Sequence, residues 1–299
     1  MGEGICAQQT LRMSIINSYP RKVTTTYFHP QIDLDKVDES VVRAKFSENL
    51  VYWMDYINKQ PKSRTSGVWY PQEYMTEYGS TGDKLHNINA LANDNYFAIS
   101  HFDKGCYFIE KGKEATPSEL LEAFFVGPTM ADCGSLLQAC MYRAIEQLVG
   151  TDKFNNYFST PLTPFTITPY LFDPVLGDDP SCGNPLYWFF EDFKMNTLSQ
   201  LTGVPAAKES LDESEVEAGD VLHLQGVTRY GEKHLSGAEQ GWNLICAGKN
   251  GEGENLYVGF GTDEFKEPLT YSHVKGLLVT GYNRDQNSDT KDFIDRKPE

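Results

Sequence analysis

Gly127-Pro128-Thr129-Met130-Ala131-Asp132-Cys133-Gly134-Ser135-Leu136-Leu137 is a turn-forming loop running into a helix. After it, Leu136, Leu137, Cys140, Met141, Ala144, Ile145 and Leu148 recur at the spacing of one buried helix face. Cys133 therefore falls in the first helical turn. There the backbone N–H groups and the positive end of the helix dipole favour a thiolate, the form of cysteine that attacks carbonyl carbon. The competing reading is a core thiol, since free cysteine is among the most buried residue types. Residues outside this stretch have to decide between the two.

Working outward, Val41, Val42, Phe46, Leu50, Val51, Met54 and Ile57 predict an amphipathic helix over Glu39–Ile57. Polar, Gly-bearing sequence follows to about Ala92, with Trp69, Tyr70, Tyr74 and Tyr78 as anchors. Asn95–Ser100 and Cys106–Glu110 alternate around Asp103-Lys104-Gly105, the pattern of a hairpin. Thr116-Pro117-Ser118-Glu119 has the form of a capping box with proline at the first helical position. The Cys133 helix is expected to end near Gly150. Thr160–Asp192 is rich in proline and aromatics, and reads either as the wall of a groove or as a satellite hydrophobic cluster under a long loop. Glu209–Glu217 is an acidic, solvated stretch.

From Gly219 the apolar runs shorten. Asp220–Leu224, Asn243–Ala247, Leu256–Phe260 and Val274–Val279, separated by Gly-rich turns, predict an antiparallel meander. The expected fold class is α+β, a helix opened by Cys133 packed on an antiparallel sheet, with extra helical sequence at the amino end. The expected division is an N-terminal extension over 1–92, a main domain over 93–282 with an insertion at 160–210, and a polar tail over 283–299.

Hydrophobic residues at 40 % and charged residues at 23 % are ordinary for a globular chain able to bury a core. The formal net charge of -16 argues against a nucleic-acid partner, which requires clustered Lys and Arg. Basic or neutral proteins are the expected partners. No apolar run is long enough to span a bilayer and no signal-peptide pattern opens the chain, so the expectation is a soluble protein, cytoplasmic or exported without a cleavable signal. The six cysteines, Cys6, Cys106, Cys133, Cys140, Cys182 and Cys246, form no CxxC pair. That spacing speaks against a disulfide scaffold and against a zinc ribbon.

Thiol chemistry on a carbonyl needs a polarised thiol, a His or carboxylate in reach of it, and backbone donors for the oxyanion. The turn Ala131-Asp132-Cys133-Gly134 offers the first and third. A nucleophile helix followed by an antiparallel sheet resembles the layout of papain-like thiol enzymes. More specifically, Asn95–Ser100, Tyr107-Phe108-Ile109-Glu110, Pro117-Ser118, Gly127-Pro128, Asp132-Cys133, the run Ile145–Phe158, Gly219-Asp220-Val221-Leu222 and Gln240-Gly241-Trp242-Asn243-Leu244-Ile245 resemble, in that order, the bacterial spore-coat protein-glutamine gamma-glutamyltransferases. The likeness covers about Asn93–Val279 and is most specific in Gly150-Thr151-Asp152-Lys153-Phe154-Asn155. It implies a papain-like fold and attack by Cys133 on a glutamine side-chain amide. Ammonia leaves, and the resulting thioester passes to a lysine amine or to water. Cofactors and metals are not implied; the implied partners are proteins carrying glutamine and lysine. Asp132 takes the place of the acid that precedes the family nucleophile.

The chain departs from the family on the sheet. The family's second carboxylate falls on Trp242, and the His of its next strand falls near Gly259. Either another group is the base or the reaction has been lost. His234, in Tyr230-Gly231-Glu232-Lys233-His234, is the first candidate, since neutral imidazole suits a thiol partner near pH 7; a solvated loop histidine is the alternative. Glu239 is the second, against an exposed surface charge. His223 alternates with Leu222 and Leu224 and so faces away from them, which fits a satisfied, partly buried histidine. Trp242 is read as the wall of a substrate channel, with core packing as the alternative. Asp263 and Glu264 are candidates to orient a base, or a plain surface turn. Three functions follow: a cysteine acyltransferase acting on protein glutamine, a non-catalytic binding or structural module on the same fold, and a papain-like amidase or peptidase.

Overall fold

A computed structural model describes residues 32–34, 37–64, 66–70, 73–74, 77, 97–102, 105–110, 115–160, 163–165, 167, 184–195, 197–201, 210–226 and 241–283. The fold is α+β, and the chain divides into two compact units, Met1–Met195 and Asn196–Glu299.

In the first unit, α1 (Glu39–Lys59) starts at Asp38, whose carboxylate accepts the Ser40 N–H at 2.9 Å. Its buried face is Val42, Phe46, Leu50, Met54 and Ile57, one residue per turn at three- and four-residue steps. Val41, expected on that face, is exposed. A hairpin follows, β1 (Val68–Trp69) aside: β2 (Phe97–Phe102) and β3 (Gly105–Glu110) pair antiparallel from Phe97↔Glu110 to Phe102↔Gly105. Helix α2 (Pro117–Val126) opens with the expected capping box. The Thr116 N–H donates to Glu119 at 2.8 Å and the Glu119 N–H donates back to the Thr116 hydroxyl at 3.3 Å.

After β4 (Thr129–Met130), helix α3 (Cys133–Val149) is the centre of this unit. Leu136, Leu137, Ala139, Cys140, Met141, Tyr142, Ala144 and Ile145 are buried, so neighbours cover it nearly all round. Asn49 of α1 donates to the Ala144 carbonyl at 3.4 Å. Gly150 ends α3 at φ 84, and its N–H donates to the Glu146 carbonyl at 2.8 Å. The run 150–155 is built for packing: the Asn155 side chain accepts the Ser118 N–H at the start of α2 at 2.8 Å, and Phe154 of α4 (Thr151–Phe158) is buried between Tyr142 and Phe158. The stretch in which the family likeness is most specific is therefore scaffold rather than chemistry.

Two short strands, β5 (Ser159–Thr160) and β6 (Thr163–Pro164), pair antiparallel. In α5 (Pro185–Asp192), Phe189 and Phe190 are buried and set their rings 4.6 and 5.6 Å from that of Phe46. This end of the aromatic segment is hydrophobic core, while residues 168–183 lie outside the described residues.

The second unit is a six-stranded sheet in the order β12-β11-β10-β9-β7-β8. The strands are β7 (Thr197–Leu201), β8 (Ser210–Leu211), β9 (Val221–Gln225), β10 (Gly241–Lys249), β11 (Asn255–Val258) and β12 (Leu269–Thr270). From β9 to β12 all pairs are antiparallel, as the meander predicted, but β7 runs parallel to both β8 and β9. Val274–Val279, read as a strand, belongs instead to α6 (Tyr271–Asn283). The correction has a simple cause: Val274, Leu278 and Gly281 are buried at helical spacing, and a short apolar run does not separate helix from strand. One sheet face packs Leu222, Leu224, Trp242, Leu244, Cys246 and Tyr257 with Val274 and Leu278 of α6. Among the described residues, no helix is long and apolar enough to cross a membrane.

Candidate functional site

The turn that presents Cys133 is held by main chain on one side and by a carboxylate on the other. Strands β1 and β4 pair in parallel, Val68 with Thr129 and Trp69 with Met130. The Gly67 N–H donates to the Val126 carbonyl at 2.8 Å. The Thr129 and Ala131 N–H groups donate to the Gly67 and Trp69 carbonyls, each at 3.0 Å. Gly127 must be glycine here, because it sits at φ 71 and a Cβ would fall onto the Gly67 carbonyl oxygen. Beyond this ladder Asp132 takes an extended backbone (φ -75, ψ 173) and acts as N-cap, accepting the Ser135 N–H at 2.6 Å. The exposed Asp132 carboxylate thus fixes the first turn of α3.

Cys133 is the first residue of α3 and is half-buried. The first N–H groups of a helix have no partner within it, so the turn presents donors and the positive dipole end beside the thiol. The other two described thiols differ. Cys140 and Cys246 are free but fully buried; burial pushes the Cys140 thiol far up and the Cys246 thiol up to about 11. Of these three, Cys133 has the setting of a reactive thiol.

His234 and Glu239 lie outside the described residues. Trp242 is 4 % exposed in the core of the second unit, with its indole edge-on to Phe265 at 5.1 Å. A Cβ at Gly259, near which the family's histidine falls, would come 2.9 Å from the Leu244 and Phe265 side chains, so this position faces core and has no room for an imidazole. Asp263 and Glu264 stand on a surface 3-10 turn, Asp263 paired with Lys266 at 2.6 Å and Glu264 3.9 Å from His273. Both pairs are exposed, the surface-turn alternative for that segment.

Sequence reasoning did not find the partnership of His223. On the sheet face opposite the leucines, His223 of β9 lies directly across from Asn243 of β10, and its Nδ1 is 3.0 Å from the Asn243 side-chain oxygen. With Nδ1 protonated, Nε2 keeps its lone pair. Burial lowers the pKa of this imidazole and so favours its neutral form, outweighing the bond to Asn243, which acts in the opposite sense. Its ring lies over Gly241, where a Cβ would come 2.7 Å from Nε2. Alternation already turned His223 away from the leucines; the register that brings Asn243 opposite it was the missing signal.

The chain is similar to a transglutaminase. The enzyme is described as "Transglutaminase from Geobacillus stearothermophilus (without C-terminal extension)". It aligns at a TM-score of 0.46 and 13 % identity, over 83 % of this chain and 87 % of that one. No family model matches the sequence, and no curated protein matches it. A likeness this distant to the transglutaminase assigns no residue its role, and each assignment rests on the geometry given above.

Proposed function

We propose that this chain is a cysteine acyltransferase acting on glutamine side chains of proteins, with Cys133 as nucleophile. The observation that carries the reading is the setting of Cys133: a half-buried thiol at the start of a capped 17-residue helix, while Cys140 and Cys246 are sealed in core. The ordered sequence likeness from Asn95 to Ile245 supports the choice of a glutamine amide over other acyl donors. The thiolate sulfur bonds to the side-chain carbonyl carbon, and first-turn N–H groups are suited to the oxyanion. The C–N bond then breaks, and nitrogen leaves as ammonia with a proton delivered by the base. An amine attacking the thioester forms an isopeptide and returns the thiol, whereas water gives glutamate. Asp132 shapes the turn through its cap. For the base, His234 and Glu239 are the candidates from the sequence.

A second reading is a non-catalytic module on the same fold. It is favoured by one observation: the strand position at which the family's second carboxylate falls is occupied by Trp242, packed in core. A glutamine-bearing protein such as casein, incubated with a labelled primary amine, separates the two. Incorporation that disappears in Cys133→Ala supports transfer, and ammonia release without incorporation supports deamidation. If neither occurs and iodoacetamide labels Cys133 no faster than Cys246, the enzyme reading is wrong.

A further inference from the structure

The turn between β10 and β11 holds the one Asn-Gly pair in the sequence, Asn250-Gly251. It closes the hairpin just beyond the Lys249↔Asn255 pair. The Asn250 N–H donates to the Glu254 carbonyl at 2.9 Å, and the Gly253 N–H donates back to the Asn250 carbonyl at 3.1 Å. The Asn250 side chain is a clasp across this turn. Its Oδ1 accepts the N–H groups of Glu252 and Glu254, each at 2.9 Å, and its Nδ2 donates to the Glu254 carboxylate at 2.9 Å. Two donors on one atom and a carboxylate on the other leave a single orientation for the amide.

The next residue suits attack on that amide. Gly251 is exposed, a Cβ placed on it would meet nothing within 4 Å, and its N–H donates to none of the described residues. Without a Cβ, nothing of the residue's own shields this nitrogen. The bond from the Glu252 N–H to Oδ1 closes a ring that contains the same nitrogen, which keeps Cγ on its side of the turn. Both N–H groups on Oδ1 stand where negative charge forms when Cγ is attacked. We propose that Asn250 is a site of spontaneous deamidation in the folded chain. Hydroxide removes the Gly251 amide proton and the nitrogen bonds to Cγ. The Cγ–Nδ2 bond then breaks, and Nδ2 takes a proton from water and leaves as ammonia. Water opens the cyclic imide: at Cγ it gives aspartate, and at the main-chain carbonyl carbon it gives isoaspartate, whose chain runs through Cβ. Nothing is oxidised or reduced. Either product breaks the clasp. Aspartate sets a carboxylate oxygen where Nδ2 now faces Glu254, and isoaspartate lengthens the main chain inside a turn bounded by Lys249↔Asn255.

The test incubates the full chain in mildly alkaline buffer, native and unfolded in guanidinium chloride. Peptide mass spectrometry reads the replacement of NH2 by OH at Asn250. The unfolded chain sets the intrinsic clock. Native Asn250 should convert within about tenfold of the unfolded rate, because an amide sealed by its fold would convert only on opening and be protected by more than that. The rate should rise with pH, and isoaspartate should be among the products. Gly251→Ala, whose methyl group enters open space, should slow conversion severalfold. The converted fraction, separated by its added charge, should unfold at a lower denaturant concentration than the parent, and Asn250→Asp should reproduce the aspartate part of that shift. Protection of native Asn250 beyond tenfold, or an unslowed Gly251→Ala, overturns the site; an unchanged midpoint in the converted fraction overturns the clasp. The reaction does not depend on the chemistry assigned to Cys133. It continues in Cys133→Ala, so its failure and that of the acyltransferase reading are distinguishable.

Discussion

The start of α3 and the β9–β10 pair hold Cys133 and His223 by opposite means. Around Cys133 the work is done by main chain: three ladder bonds between 67–69 and 126–131, a glycine that admits a close carbonyl, and one capping carboxylate. Around His223 it is done by side chains, one amide opposite the ring and a glycine beneath it. Main-chain anchoring tolerates changes of side chain except at glycine. Side-chain anchoring ties the state of the group to one partner.

The sharpest way to break this comparison is to remove the thiol. Cys133→Ala should lower amine incorporation about a thousandfold or more, with the denaturation midpoint little changed. In the intact chain, iodoacetamide near neutral pH should modify Cys133 well before Cys140 or Cys246, as read by peptide mass spectrometry. Next in size is Gly127→Ala, where positive φ and the nearby Gly67 carbonyl oppose a Cβ. It should destabilise the chain by about 2 kcal/mol or more, seen as a lower denaturant midpoint. Asp132→Ala should cost about 1 kcal/mol through the lost cap, and Asp132→Ser should restore it. Restored stability and activity in the serine variant would assign Asp132 to capping alone; restored stability without activity would assign its charge to the chemistry.

The smallest effect concerns His223. Its folded pKa lies below the ordinary 6.5, so as pH falls below that value the unfolded chain takes up the proton more readily than the folded one. Stability should therefore be full above about pH 6.5 and decline below it, flattening once pH passes the folded pKa. His223→Gln should remove this part of the slope in denaturant titrations run across pH. An unchanged slope would show that the imidazole is not held neutral as described.

Legibility in the sequence follows the same divide. The capping box at Thr116, the start of α3 at Cys133 and its end at Gly150 are written within four or five residues, and short-range hydrogen bonds enforce what the residue types suggest. The hairpin at 97–110 is local as well. What the sequence did not disclose is non-local. The parallel pairing of β7 with β9 joins strands that are not consecutive in the chain, and the His223–Asn243 bond needs a register between residues 20 apart. Helix α6 was missed for a different reason: its apolar run suits either period, and packing beneath the sheet decided it.

The β1–β4 ladder has a consequence for the order of events during synthesis. The partners of the Cys133 turn named above, from Gly67 and Trp69 to the Asp132 cap, lie at or before residue 135 in the chain. Translation runs from the amino end and domains tend to fold as units. The anchors of the thiol's turn are therefore complete on the ribosome before the first residue of the sheet has been made. A nascent chain arrested after α5 carries the anchors of the cysteine's turn together with the α5 rings that pack on α1, while the strands of the sheet have not yet been added. The order of translation thus places the cysteine's turn ahead of the whole second unit.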